Sequence, residues 1–197
     1  MKVMKTGKSL VIGALVGLVC SGVSFAQENA SKVIADWPAN PKKSAEKMIA
    51  KYGKPQETTA TMLVWHNNGP WKKTTVGREE SPHDFPKPHT DLMLQTINYR
   101  VPPEKFALLA AYDGSVTAHR TKGELSALCD NEEANFLALN LAHDIIIGKR
   151  TPEEARKFYT DAIIAKDNGA KPPYTQALQF EVPKGNTGDR DKVTIQK

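Results

Sequence analysis

Cysteine is scarce in this 197-residue chain, with only Cys20 and Cys129, and aromatic residues make up just 7% of it. No Cys pair stands at zinc-finger or redox spacing, no two histidines are four apart as on a metal-binding helix, and no Gly-x-Ser-x-Gly elbow exposes a serine nucleophile. Serine hydrolase and zinc-finger readings therefore have nothing to stand on. The apolar run from Leu10 to Val19, interrupted by Gly13 and Gly17, is too short to cross a bilayer, which takes roughly 20 residues. There is no internal repeat and no low-complexity tract.

What is present begins with an export pattern. Lys2, Lys5 and Lys8 precede the apolar run, and Ser24-Phe25-Ala26 sets small residues three and one before a cut. Residues 1–26 are therefore expected to be a secretory signal peptide, cleaved near Ala26 and leaving a periplasmic or secreted protein that starts at Gln27. Lipidation at Cys20 is the alternative, but Val19 and Gly17 stand where a small and a Leu-like residue are required.

Without that segment the 27 basic residues fall to 24 against 22 acidic ones. So slight an excess makes no electrostatic case for nucleic acid. No stable membrane span is expected in the mature form. The remaining 171 residues suit one domain that buries a core without disulfides. Cys129, then alone, is expected to be a small buried apolar residue, with a reactive or intermolecular thiol as the alternative.

Residues 27–43, polar with Pro38 and Pro41, read as a lead-in to an α+β domain over 44–183, and 184–197 as a loose polar tail. A helix capped by Ser44 carries Ala45, Met48, Ile49 and Tyr52 on one side and stops at Gly53 and Pro55. A hairpin follows over 58–66 and 71–78, turning at Asn67-Asn68-Gly69. Pro82, Pro86 and Pro88 predict an irregular loop over 79–91. A strand over 92–101, a helix opened by Pro103, and a hairpin turning at Lys122-Gly123 come next.

Asp130 is expected to cap the longest helix, whose polar stripe of Glu133, Asn140 and Asp144, with His143 at its margin, reads as its solvated side. A polar cleft is the rival reading of that stripe. Thr151-Pro152-x-Glu154 predicts a capping box, and residues 174–182 a last strand. The expected architecture is a mixed or antiparallel sheet of about five strands covered by the C-terminal helices.

Tyr52-Gly53-Lys54-Pro55 followed by a strand ending in Val64-Trp65 resembles the helix-and-hairpin units of small envelope proteins with the BamE-like or β-lactamase-inhibitor-like fold. That resemblance implies a binding or assembly module rather than an enzyme. The segment Trp65-His66-Asn67-Asn68-Gly69-Pro70-Trp71 is also similar to that of an uncharacterised family of exported bacterial proteins.

Unusual polar and aromatic residues gather on the turns between Trp65 and Asp91. Trp65 and Trp71 flank the hairpin turn, either as a cross-strand pair or as an aromatic platform beside His66, Asn67 and Asn68. His83, Asp84 and His89, with Glu79, Glu80 and Asp91, could serve a partner-binding loop or simply be solvated. The leading expectation is an extracytoplasmic, non-enzymatic protein that binds a protein or envelope component through Trp65, His66, Asn67, Trp71, His83, Asp84 and His89. It calls for no cofactor and assigns no metal or catalytic residue. The alternative is a metal-dependent enzyme with a His/carboxylate site in residues 65–91, drawing on His66, His83 and His89, since imidazole and carboxylate together suit a borderline divalent ion.

Overall fold

The computed structural model describes residues 30–195. The expected leader over 1–26, with Cys20, and the first mature residue Gln27 lie outside the described residues. The domain is α+β, with one antiparallel sheet of six strands, β1 (Glu57–Thr58), β2 (Met62–Asn68), β3 (Trp71–His83), β4 (His89–Asn98), β5 (Val116–His119) and β6 (Glu124–Cys129), in the order β1-β2-β3-β4-β6-β5. Strand alternation and register put Leu63, Trp65, Val76, Met93, Ile97, Leu125 and Ala127 on one face, all buried.

That face is covered by α1 (Ala39–Tyr52) at the β1–β3 end and, at the other end, by α2 (Phe106–Tyr112), α3 (Glu132–Ile146) and α4 (Pro152–Asp167). Among the described residues, no helix is long and apolar enough to cross a membrane.

α1 begins at Ala39 rather than at Ser44, because Pro41 falls in the first turn, where a backbone N–H has no intrahelical partner to lose. Ser44 does not cap; its Oγ donates to the Asp130 carbonyl at 2.7 Å. Gly53 ends the helix at φ +76°, a conformation glycine adopts freely. The segment before α1 is not a polar lead-in, since residues 30–34 are helical and Ala30, Ile34 and Trp37 are buried against Leu63, Trp65 and Met93.

Asn131, not Asp130, caps α3, with Oδ1 accepting from Ala134 N–H at 3.0 Å. The polar stripe of that helix is partly buried rather than solvated: Asn140 and Asp144 are 1% and 2% exposed. Asn140 Nδ2 donates to the carbonyls of Tyr174 and Ala177, and its Oδ1 accepts from Gln179 N–H at 2.7 Å. Those bonds replace the ladder a strand over 174–182 would need. The segment is instead a short helix, α5 (Pro173–Gln176), followed by irregular chain.

The tail is not free throughout. Thr187 Oγ donates to Gly123 O at 2.6 Å, Asp189 pairs with Arg120 at 2.9 Å, and a Cβ on Gly123 would meet the Thr187 carbonyl carbon at 2.1 Å.

The capping box stands as read from the sequence: Thr151 Oγ accepts from Glu154 N–H at 3.2 Å, and Glu154 accepts from Thr151 N–H at 2.8 Å. Thr151→Ala is expected to lower the unfolding free energy by about 1 kcal/mol, read as a lower urea midpoint at unchanged slope. An unchanged midpoint would show that the cap contributes nothing.

Candidate functional site

The segment expected to be a loop is a continuation of the sheet. β2 stops pairing with β3 at Gly77, and after a register shift between Val76 and Ser81 only β4 flanks β3, pairing as Ser81↔Asp91, Pro82↔Thr90 and His83↔His89. A strand flanked on one side tolerates a proline, because alternate N–H groups have no ladder to join. The irregular part shrinks to Asp84–Pro88, where Phe85 packs on Tyr159 at 5.1 Å and under the Arg156 guanidinium at 3.8 Å.

This hairpin builds a site. Cross-strand partners share a face and residues two apart share a face, so His83, His89 and Asp91 all point toward the helices. One donor atom from each lies within 4.8 Å of the others. His83 Nδ1 is 3.1 Å from Asp91 Oδ2, and His89 Nε2 is 3.2 Å from Asp91 Oδ1. Ser115 Oγ donates to Asp91 Oδ2 at 2.5 Å.

Asp91 is 3% exposed, and its Oδ1 has no hydrogen-bond partner, the His89 approach being an ion-pair contact without hydrogen-bond alignment. Asp113 stands 3.8 Å from His83 Nε2 on the far side of the ring. His89 Nδ1–H is directed at Lys87 O at 2.9 Å, which leaves Nε2 as the nitrogen facing the site.

The charge pattern follows from burial and pairing. The Asp91 carboxylate, and after it the Cys129 sulfur, hold the His89 imidazolium well above the usual histidine range, against the opposing effect of burial. Burial raises the Asp113 carboxyl, partly offset by the Ser115 N–H it accepts. Burial also raises the Cys129 thiol. Cys129 is 6% exposed, as expected of a lone thiol, yet its Sγ lies 3.5 Å from His89 Nε2. A cavity of about 200 Å³ adjoins the pair, lined among others by Pro86, His89, Cys129 and Tyr159.

The other expected site residues do not join this group. Trp65 and Trp71 are 0% and 1% exposed, so neither indole offers a face to a partner. They are not a cross-strand pair either, since Trp65 registers with Thr74 and Trp71 with Asn68. His66, next to Trp65 and exposed, points to the opposite face and pairs with Glu57 at 2.5 Å. Asn67, at φ +51°, and Asp84 are exposed.

Conversely, Asp91 carries more of the site than its place at the end of a proline-rich stretch implied, and Asp113, Ser115 and Cys129 come from elements distant in sequence. Reading 79–91 as a hairpin instead of a loop would have aligned His83, His89 and Asp91 by alternation alone.

A second polar centre is structural. Glu132, at the start of α3, accepts from Tyr52 Oη and Trp71 Nε1, both at 2.6 Å, and pairs with Lys51, with Gln95 Nε2 at 3.4 Å. Comparison of the chain with family models, curated proteins and solved structures finds no match.

Proposed function

We propose that this protein binds one divalent transition ion of the zinc class through His83, His89 and Asp91, as an extracytoplasmic metal-binding protein. The observation that carries the reading is the convergence of three donors within 4.8 Å of one another at a buried carboxylate, one of whose oxygens lacks a hydrogen-bond partner. The nearest cation to that oxygen is His89 Nε2 at 3.2 Å, an ion pair that a metal ion would replace.

Bonds of about 2.0–2.2 Å in tetrahedral array put neighbouring donors about 3.3–3.6 Å apart. The two His–Asp91 contacts, 3.1 Å to Oδ2 and 3.2 Å to Oδ1, fall on different oxygens of the carboxylate, and the three donors lie within 4.8 Å of one another, so the side chains must draw together around an ion. Two imidazoles with one carboxylate favour zinc, cobalt or nickel over magnesium or calcium, which take oxygen donors. The second shell fits too: Lys87 O holds His89 by its other nitrogen, and Ser115 steadies Asp91. The export expected from residues 1–26 puts the site outside the cytoplasm.

Titration calorimetry of the purified protein with Zn²⁺ is expected to give one site per chain. His83→Ala, His89→Ala and Asp91→Asn should each weaken it by at least about tenfold, and His66→Ala should leave it unchanged. Wild-type protein that takes up no stoichiometric zinc would end the proposal.

A further inference from the structure

We infer that Cys129 supplies a fourth, thiolate ligand to the ion at His83, His89 and Asp91, completing the coordination shell with protein donors; the inference rests on the metal-binding reading above. Three observations on the far side of the site from His83 carry it.

The first is that one atom, His89 Nε2, is approached both by Asp91 Oδ1 at 3.2 Å and by Cys129 Sγ at 3.5 Å. Each separation matches one edge of a tetrahedron whose metal bonds are about 2.0 Å to nitrogen and oxygen and about 2.3 Å to sulfur; Cys129 Sγ stands outside the three donors that lie within 4.8 Å of one another, so closing the shell takes a movement of its side chain toward them. The second is the register. Met93 pairs with Cys129 across β4 and β6, so Cys129 shares a face with Asp91, two residues before Met93, as its diagonal neighbour. Such neighbours have backbones about 7–8 Å apart, a gap an ion spans. The third is independent of the thiol: Asp91 Oδ1, in a side chain 3% exposed, faces this corner without a hydrogen bond.

The cavity of about 200 Å³ that touches both His89 and Cys129 provides a route in from solvent. On binding, the Cys129 S–H bond breaks, a sulfur–metal bond forms, and the proton leaves to the buffer. His89 likewise gives up its Nε2 proton. Four protein donors, one of them soft, hold an ion tightly and leave no open position, the pattern of a holding or structural site rather than a hydrolytic one.

Cobalt(II) reports on each donor separately, because tetrahedral binding gives visible ligand-field bands and a thiolate adds a near-ultraviolet charge-transfer band. The full purified chain titrated with Co²⁺ is expected to show both, saturating at one ion per chain. Cys129→Ser should keep the visible bands, lose the charge-transfer band and bind at least tenfold more weakly. Visible bands without charge transfer in the wild type overturn the thiolate ligand while leaving the His83/His89/Asp91 site standing. Equal affinity of wild type and Cys129→Ser does the same. If neither Co²⁺ nor Zn²⁺ binds the wild type, the site itself fails and the fourth ligand with it.

Discussion

Replacing Glu132 by alanine is expected to lower the unfolding free energy by about 2–4 kcal/mol, the cost of leaving buried donors unpaired. The carboxylate is 12% exposed and accepts from Tyr52 Oη and Trp71 Nε1, both at 2.6 Å, while Lys51 closes it from the solvent side. Trp71 itself is 1% exposed and stacks on Phe136 at 4.8 Å, so its indole N–H has no water to turn to once the carboxylate is gone. Glu132→Gln keeps the shape and one acceptor oxygen and should lose less.

The effect carries a pH signature. Burial works to raise the Glu132 carboxyl, but the bonds from Lys51, Tyr52 and Trp71 outweigh it and hold the group below the usual glutamate range. A depressed folded value means that the stabilisation is fully present above the unfolded value of about 4.3 and is lost as pH falls through the folded one. The gap between wild type and Glu132→Gln should therefore be constant near neutrality and narrow below about pH 4. Urea unfolding curves at a series of pH values measure both. A gap that stays level down to pH 3 would mean that the carboxylate charge is not what holds this centre.

Trp65→Ala is expected to cost more, about 3–5 kcal/mol, as for other large aromatic truncations in a core. The indole is 0% exposed, among Leu63, Val76, Met93 and Met48, and its Nε1 donates to Gly53 O at 2.9 Å, fixing the end of α1 to the sheet. Trp65→Phe keeps most of the packing and strands only that carbonyl, for about 1–3 kcal/mol. An indole serving as a surface platform would instead change stability by less than about 0.5 kcal/mol on truncation. Chemical denaturation of the two variants separates the cases, and a small loss in Trp65→Ala would take this side chain out of the core.

Local chemistry was legible wherever it acts within a few residues. The Thr151–Glu154 box, the Gly53 stop and the hairpin around Gly123 are decided by atoms at most four positions apart, and the structure has them where the residue types put them; the turn expected at Asn67-Asn68-Gly69 falls instead on Gly69 and Pro70, with Asn67 and Asn68 still in β2. The apolar character of α3 was legible for the same reason, since periodicity is a local property. Prolines misled the reading of 79–91 because their cost depends on whether a second strand lies alongside. That strand is absent beyond Gly77 for reasons of sheet architecture, not of residues 79–91.

The sequence by itself therefore determined an α+β domain with amphipathic helices and antiparallel hairpins, and it marked His83 and His89 as unusual. It did not choose between a scattered loop and a site, because that choice rests on contacts that no local pattern encodes. The two histidines meet because β3 and β4 stay paired to the hairpin tip, and Asp91 joins them by alternation along β4. Asp113, Ser115 and Cys129 arrive from segments 22 or more residues further on, brought in by the order β3-β4-β6-β5 and by the packing of helices on the sheet. Only tertiary structure decided that Trp65 and Trp71 are interior and His66 stands apart. The buried face has helices to cover it, whereas His66, which alternates away from Trp65, is exposed.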